Sequence, residues 1–276
     1  MTQKRLDGRT LLMSGGSRGI GLAVGIAAAR EGANVVLLAK TDVPDPRLPG
    51  TVHTAAAEIE DAGGQALAVV GDVRDEASVE GAVAQAVERF GGIDIVVNNA
   101  SAIALDPTES LPMKRFDLMQ QIQLRGTYLL TSKALPHLVR SDNPHILSLS
   151  PPLNMSQEWL GKHPAYTLAK YGMSLLTLSL GAEHAEQGVA ANCLWPETLI
   201  ATAAVQNLLG GDQAIEKSRT PEIVADAAVE ILARPARECT GNTFIDVDVL
   251  REAGVTDLSS YGGHGDLEYD IFVDRP

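Results

Sequence analysis

The chain has 276 residues, 35 acidic against 22 basic side chains and a net charge of −13, with 45% hydrophobic and 21% charged residues. That length and composition suit a soluble α/β domain with several helices. The acidic balance argues against a nucleic-acid partner, which needs clustered Lys and Arg, but it leaves room for a local basic pocket holding one phosphate.

The two cysteines, Cys193 and Cys239, have no metal-ligand spacing and make no disulfide framework. The six histidines form no ligand motif either. No metal is therefore expected, and a reducing, cytoplasmic setting is. The opening MTQKRLDGRTLLMSGG has too short an apolar run for a secretory signal. No apolar stretch is long enough for a membrane span.

In chain order, short β-branched runs alternate with helical stretches. Thr10–Ser14 reads as a buried strand, followed by a glycine loop and an Ala-rich helix over Gly19–Glu31 that stops at Gly32. Asn34–Ala39 is the second strand. Thr41–Pro49 has three prolines and must be a loop. After the strand Ala66–Val70 comes the helix Glu76–Phe90, with Val79, Val83, Val87 and Phe90 on one face. The strand Ile93–Asn98 precedes a long helix over Pro112–Val139. The strand His145–Leu149 precedes another helix, Ala165–Gln187. Then follow the strand Ala190–Leu194, the helix Pro221–Ala233 with Thr220 as its N-cap, and the strand Thr243–Asp246. From about Gly254 the chain is an irregular tail that either wraps the surface or reaches a neighbouring subunit.

Alternating βα units with continuous apolar strands imply a parallel sheet of about seven strands with helices on both faces. Right-handed crossovers make it a doubly wound, Rossmann-type fold. No linker or repeat divides residues 1–276, so one domain is expected.

The loop Ser14-Gly15-Gly16-Ser17-Arg18-Gly19-Ile20-Gly21 lies between the first strand and the first helix. Glycines there let the backbone turn tightly and approach a pyrophosphate, which rests on the helix N-terminus. Its spacing resembles the T-G-x-x-x-G-I-G loop of short-chain dehydrogenases/reductases, with Ser14 in the threonine position. Asp72-Val73 after the third strand, Asn98-Asn99-Ala100-Ser101 after the fourth, and Tyr166-Thr167-Leu168-Ala169-Lys170 resemble further motifs of that family in the same order. The resemblance covers roughly residues 6 to 250.

It implies a nicotinamide cofactor held by Gly15, Gly16, Ser17, Arg18, Gly19, Ile20, Gly21, Asp72, Val73, Asn99 and Ala100, with Lys170 at the nicotinamide ribose beside Tyr166. It also implies a homo-oligomer, a dimer or tetramer. NAD-preferring relatives end the second strand on an Asp. Here Ala39 and Lys40 stand at that point. An ammonium attracts a 2′-phosphate that a carboxylate would repel. Lys40, with Arg18 as a second cation, therefore points to NADP(H).

Tyr166 and Lys170 are four apart and share a helix face. A free phenol ionises near pH ~10, and an adjacent ammonium is expected to lower that value. Tyr166 can then give a proton to a carbonyl or take one from an alcohol.

Two departures from the family stand out. Its catalytic serine falls on Pro151, which has no hydroxyl, so Ser150 is the nearest substitute. A strand-end serine bonded to backbone is the competing reading of Ser150. The family's asparagine falls on Gln123. Thr198 is a possible nicotinamide contact, and Met155, Trp159, Leu160, Leu199 and Leu208 are candidates to line an apolar pocket. The expected activity is alcohol–carbonyl interconversion on an apolar, lipid-like or isoprenoid-like substrate. The alternative is a nucleotide-binding sensor or scaffold with little turnover.

Overall fold

Seven aliphatic runs pair in one sheet of the computed structural model, which describes residues 4–45, 50–208, 210–263 and 265–275. The strands are β1 (Thr10–Ser14), β2 (Asn34–Ala39), β3 (Gln65–Val70), β4 (Ile95–Asn98), β5 (His145–Ser148), β6 (Ala190–Trp195) and β7 (Thr243–Ile245). All six pairings are parallel, in the order β3-β2-β1-β4-β5-β6-β7. The order reverses between β1 and β4. In doubly wound sheets a crevice opens at such a point, beyond the strand C-termini.

The helices are α1 (Gly19–Arg30), α2 (Val52–Asp61), α3 (Glu76–Phe90), α4 (Met113–Met119), α5 (Gly126–Leu138), α6 (Gln157–Lys162), α7 (Pro164–Glu183), α8 (Ala203–Leu208), α9 (Gly211–Glu216), α10 (Glu222–Leu232) and α11 (Asp246–Glu252). Strand residues alternate between the two faces of the sheet. Leu11, Met13, Val35 and Leu37 join Val24 and Ala28 of α1 and Ile223 and Val224 of α10 in one core. Leu12 and Val36 join Val79 and Val83 of α3 and Leu130 and Ala134 of α5 in the other. Burying each such aliphatic side chain contributes about 1.5–3 kcal/mol, so the paired layers fix where the strand ends lie. No helix of the described residues is long and apolar enough to cross a membrane.

Several elements differ from the sequence reading. Strand and helix ends move by one to four residues, as hydrogen-bonded ends do when periodicity alone sets them. The Pro112–Val139 helix is three segments, because Gln120–Arg125 is wound as a π-helix between α4 and α5. The N-cap of α10 is Pro221 without a side-chain cap, and Thr220 contributes only its carbonyl, to the Ile223 N–H at 3.3 Å. Asp246 does not end β7 but opens α11. Helix α2 was not anticipated beside the prolines. It starts at a Thr51–Thr54 capping box, a weaker sequence signal than a box closed by Glu or Gln. Pro46–Pro49 of the proline-rich loop lies outside the described residues, as does His264 in the tail.

The tail folds back on its own chain. Tyr269 bridges antiparallel to Thr198, the Leu199 N–H donates to the Glu268 carbonyl at 2.9 Å, and the Asp270 N–H donates to the Glu197 carbonyl at 3.0 Å.

Candidate active site

A cleft of about 1000 Å³ opens at the reversal point, running from the glycine loop to the tail. Gly15, Ser17, Arg18, Gly19 and Ile20 line it. Gly16 turns inward against Leu37. Gly15 has φ +77°, and a Cβ there would stand 2.8 Å from the Ala100 Cα. A Cβ on Gly21 would stand 2.5 Å from the Asn99 amide nitrogen. These two positions therefore exclude larger residues. Helix α1 starts at Gly19 with no side-chain cap and no acid in its first turn. Its early N–H groups and dipole are thus available for an anion, which fits a nucleotide pyrophosphate.

The β4 end stitches this loop in place. Asn99 Nδ2 donates to the Gly15 carbonyl at 2.7 Å and to the Ser14 carbonyl at 3.2 Å. Ser14 Oγ accepts from the backbone N–H groups of Asn99 and Ala100 at 3.3 and 3.2 Å. Asn98 Nδ2 donates to Ser148 Oγ and Thr131 Oγ1, tying β4 to β5 and α5.

At the β2 and β3 ends, Lys40, Asp72 and Val73 line the cleft. Arg74 grips the Asp72 carboxylate through Nε and Nη2 and holds its pKa below the usual range, and Lys40 Nζ adds to this at 3.7 Å. Lys40 keeps 59% of its side chain exposed.

Tyr166 and Lys170 project from α7 into the same cleft. Lys170 is buried, its Nζ donating to the Leu149 carbonyl at 2.8 Å and standing 5.0 Å over the Trp195 ring. Burial pulls its pKa down to about 8, while Asp270 and Cys193 act in the opposite direction. The expectation that Lys170 lowers the Tyr166 pKa is not met in this conformation. The phenol is pushed well above its usual value, first by burial and then by Asp270. The Lys170 ammonium is turned to the Leu149 carbonyl instead.

Sequence reasoning missed the tail's part in the site. Asp270 and Ile271 line the cleft, and Phe272 fills an aromatic cluster of Trp159, Tyr166, Tyr171 and Trp195. Trp195 Nε1 donates to the Ile271 carbonyl and Trp159 Nε1 to Asp274, each at 2.8 Å. The stretch has no hydrophobic periodicity to mark it. The paired Trp residues near β6 and α6 are the signal that an apolar partner must cover them.

All but one of the other candidates lie outside the cleft. Ser150 is fully buried, its hydroxyl beside the Cys193 thiol and with no stronger hydrogen-bond partner among the described residues. Pro151 uses its carbonyl to accept from Ser174 Oγ at 2.6 Å. Gln123 is buried in the π-helical turn. With its amide oriented to suit its partners, it donates to the Met119 and Ala102 carbonyls and accepts from Ser101 Oγ. Thr198 is buried in the tail bridge. Of the five apolar candidates only Leu208 lines the cleft. Met155 and Leu160 are exposed, Trp159 covers Phe272, and Leu199 packs with Val205 and Ala214.

Residues 9–211 match the family model of the short chain dehydrogenases. Hydroxysteroid dehydrogenase-like protein 2 of Danio rerio is 52% identical over 273 residues, covering 98% of this chain and 65% of its own length. The Homo sapiens protein of that name is 48% identical over 274 residues, with the same coverage. The chain thus spans just under two-thirds of these relatives. A short chain dehydrogenase from Mycobacterium thermoresistibile superposes with a TM-score of 0.93 at 55% identity, covering 98% of this chain and 97% of that one.

Proposed function

We propose that this chain, which belongs to the short-chain dehydrogenase family, is an NADP(H)-dependent oxidoreductase interconverting an alcohol and a carbonyl on an apolar, lipid-like or isoprenoid-like substrate. The observation that carries the reading is the placement of Tyr166 and Lys170 in one cleft with the uncapped N-terminus of α1. When bound, the nicotinamide supplies or accepts the hydride. Gly15 to Gly21 hold the pyrophosphate, while Asp72, Val73, Asn99 and Ala100 shape the nucleoside side of the cleft. Lys40 and Arg18 attract the 2′-phosphate. Lys170 holds the ribose and stabilises charge beside Tyr166. The Tyr166 hydroxyl gives its proton to the carbonyl oxygen in reduction and takes one from the alcohol in oxidation. Trp195, Ile103, Leu208 and Ile271 give the neighbouring wall an apolar character, which supports an apolar substrate.

A homo-oligomer belongs to this reading. Tyr128 of α5 and Leu168 and Leu175 of α7 are large apolar side chains left exposed, which suits the packing of these helices against a second copy. Ser150 lying away from the cleft favours a second reading, a nucleotide-binding protein with little turnover.

One experiment separates the two readings: NADPH binding followed by fluorescence, with turnover on a panel of apolar ketones and aldehydes. The first reading expects turnover that nearly vanishes in Tyr166→Phe while nucleotide still binds. Binding without turnover by the parent protein would leave the second.

A further inference from the structure

The tail sets a carboxyl group in the cleft that holds the pair on α7. Asp270 is half-buried and lines the cleft with Tyr166, Lys170 and Trp195. Its position is strongly determined. Its N–H donates to the Glu197 carbonyl at 3.0 Å, and the next carbonyl, that of Ile271, accepts from Trp195 Nε1 at 2.8 Å. One residue on, Phe272 is locked among four aromatic rings. Asp270 Oδ1 accepts from the Ile271 N–H at 2.6 Å.

We propose that Asp270 is a positioning residue for the reaction assigned to Tyr166 and Lys170, its carboxylate keeping the pair's protons in place until transfer. The proposal rests on the oxidoreductase reading above. A buried ammonium needs a counter-charge, and the Leu149 carbonyl satisfies a proton of Lys170 without neutralising it. The ionisable groups around the pair narrow the choice of counter-charge. From β6, the Cys193 thiol is held neutral by burial. From α11, the Asp246 carboxyl accepts from the N–H groups of Glu197 and Val247. Arg219 and Glu197 act on Asp246, not on the pair. Asp274 is engaged by Trp159 and Asn154. Asp270 is the acid that acts on both Tyr166 and Lys170. Burial and Asp246 push its own pKa up while Lys170 pulls it down, so the carboxylate forms as the pH rises and then opposes proton loss from Lys170.

The sign of its influence is the same at both partners. An anion here raises the pKa of Lys170 and of Tyr166 alike. Removing it makes the first proton loss from the pair easier, whichever group gives it up. The basic limb of carbonyl reduction, which needs a protonated Tyr166, then falls to lower pH.

The test compares the parent with Asp270→Asn and Asp270→Glu. The Lys170 ammonium is titrated by NMR on isotope-labelled lysine, assigned with Lys170→Arg, which needs no turnover. The pH dependence of kcat is recorded in parallel. Asp270→Asn is expected to lower the Lys170 midpoint and the basic limb by on the order of one pH unit, and Asp270→Glu to restore most of both. Fluorescence of the two tryptophans, both seated on the tail, checks that the tail stays in place. If Asp270→Asn unseats it, the parent itself decides. The Asp270 carboxyl and Lys170 should titrate as a coupled pair, each in two steps, and two independent single-step curves would overturn the proposal. An unchanged Lys170 midpoint in a seated Asp270→Asn protein overturns it as well. Absence of turnover by the parent, with the Lys170 shift present, instead overturns the oxidoreductase reading.

Discussion

Phe272 lies nearly parallel to Tyr166, with ring centroids 6.0 Å apart and planes 14° apart. Phe272 also touches Tyr171, Trp159 and Trp195 at centroid distances of 5.0, 6.0 and 6.1 Å. Its φ of +76° is a left-handed value rare for a bulky residue and costs about 1–3 kcal/mol. The aromatic packing must offset that cost, and its result is to clamp the tail against α7.

Truncating this ring should release the tail while the sheet stays folded. Phe→Ala in a core costs about 3–5 kcal/mol, comparable with what the tail's hydrogen bonds, each worth about 0.5–1.5 kcal/mol net, supply together. Both tryptophans of the chain touch Phe272 and donate their indole N–H to the tail. Phe272→Ala should therefore shift tryptophan emission to longer wavelength and speed proteolysis near the C-terminus, with far-UV circular dichroism unchanged. An unshifted emission would show that Phe272 does not hold the tail.

Ser150 is expected to matter little to turnover. Its side chain is fully buried near Cys193 rather than lining the cleft. Its buried hydroxyl has the Cys193 thiol beside it, a weak partner whose loss costs little. Ser150→Ala should leave kcat within about tenfold of the parent and stability equal or higher. A loss of about a hundredfold in kcat on the best carbonyl substrate would instead make Ser150 an oxyanion donor.

The sheet was legible because parallel strands buried on both faces read as unbroken aliphatic runs, and β1 and β2 match their expected bounds. The glycine loop, Asn99, Tyr166 and Lys170 were legible because each sits at a strand end or on a helix with fixed spacing. What stayed hidden depends on three-dimensional closure. Ser150 alternates away from the cleft in a way that two following prolines obscure in the sequence. The tail, from Glu268 to Asp274, docks by backbone and side-chain hydrogen bonds and one aromatic ring, none of which has a period. The Tyr166 environment reversed its expected shift because burial and Asp270, both invisible in a Tyr-x-x-x-Lys spacing, raise the phenol while Lys170 turns to the Leu149 carbonyl.

Nucleotide choice is open to direct measurement. Lys40 is mostly exposed and shares the Asp72 carboxylate, which Arg74 already holds. Its attraction for a 2′-phosphate is therefore partly screened, and the low end of a charge-assisted contact applies, about 1 kcal/mol or roughly fivefold in Kd. NADPH should bind more tightly than NADH, Lys40→Ala should narrow the gap by that factor, and raised salt should do the same. Equal dissociation constants in the parent protein would remove the case for NADP(H) preference.

Acid should weaken the fold partly through one histidine at the opposite end of β5. His145 is 1% exposed, its Nε2 lies 3.0 Å from the Arg234 carbonyl, and its Nδ1 has no partner among the described residues. Burial pulls its pKa down to about 4, the Arg9 guanidinium adds to the fall, and the Arg234 carbonyl opposes it. The folded ring is therefore neutral where an unfolded one, with a pKa near ~6.5, takes a proton. Between those values the unfolded state binds more protons, so this contribution to stability is complete above the unfolded pKa and is lost as pH falls toward the folded one. The loss amounts to about 3 kcal/mol for a shift of this size. Urea unfolding at about pH 7 and about pH 4.5 should show it as a drop larger in the parent than in His145→Gln, which keeps an amide donor for the Arg234 carbonyl and does not titrate. The comparison subtracts carboxylates such as Asp72, whose lowered pKa also costs stability in acid. An identical drop in the two proteins would mean that His145 titrates normally in the fold.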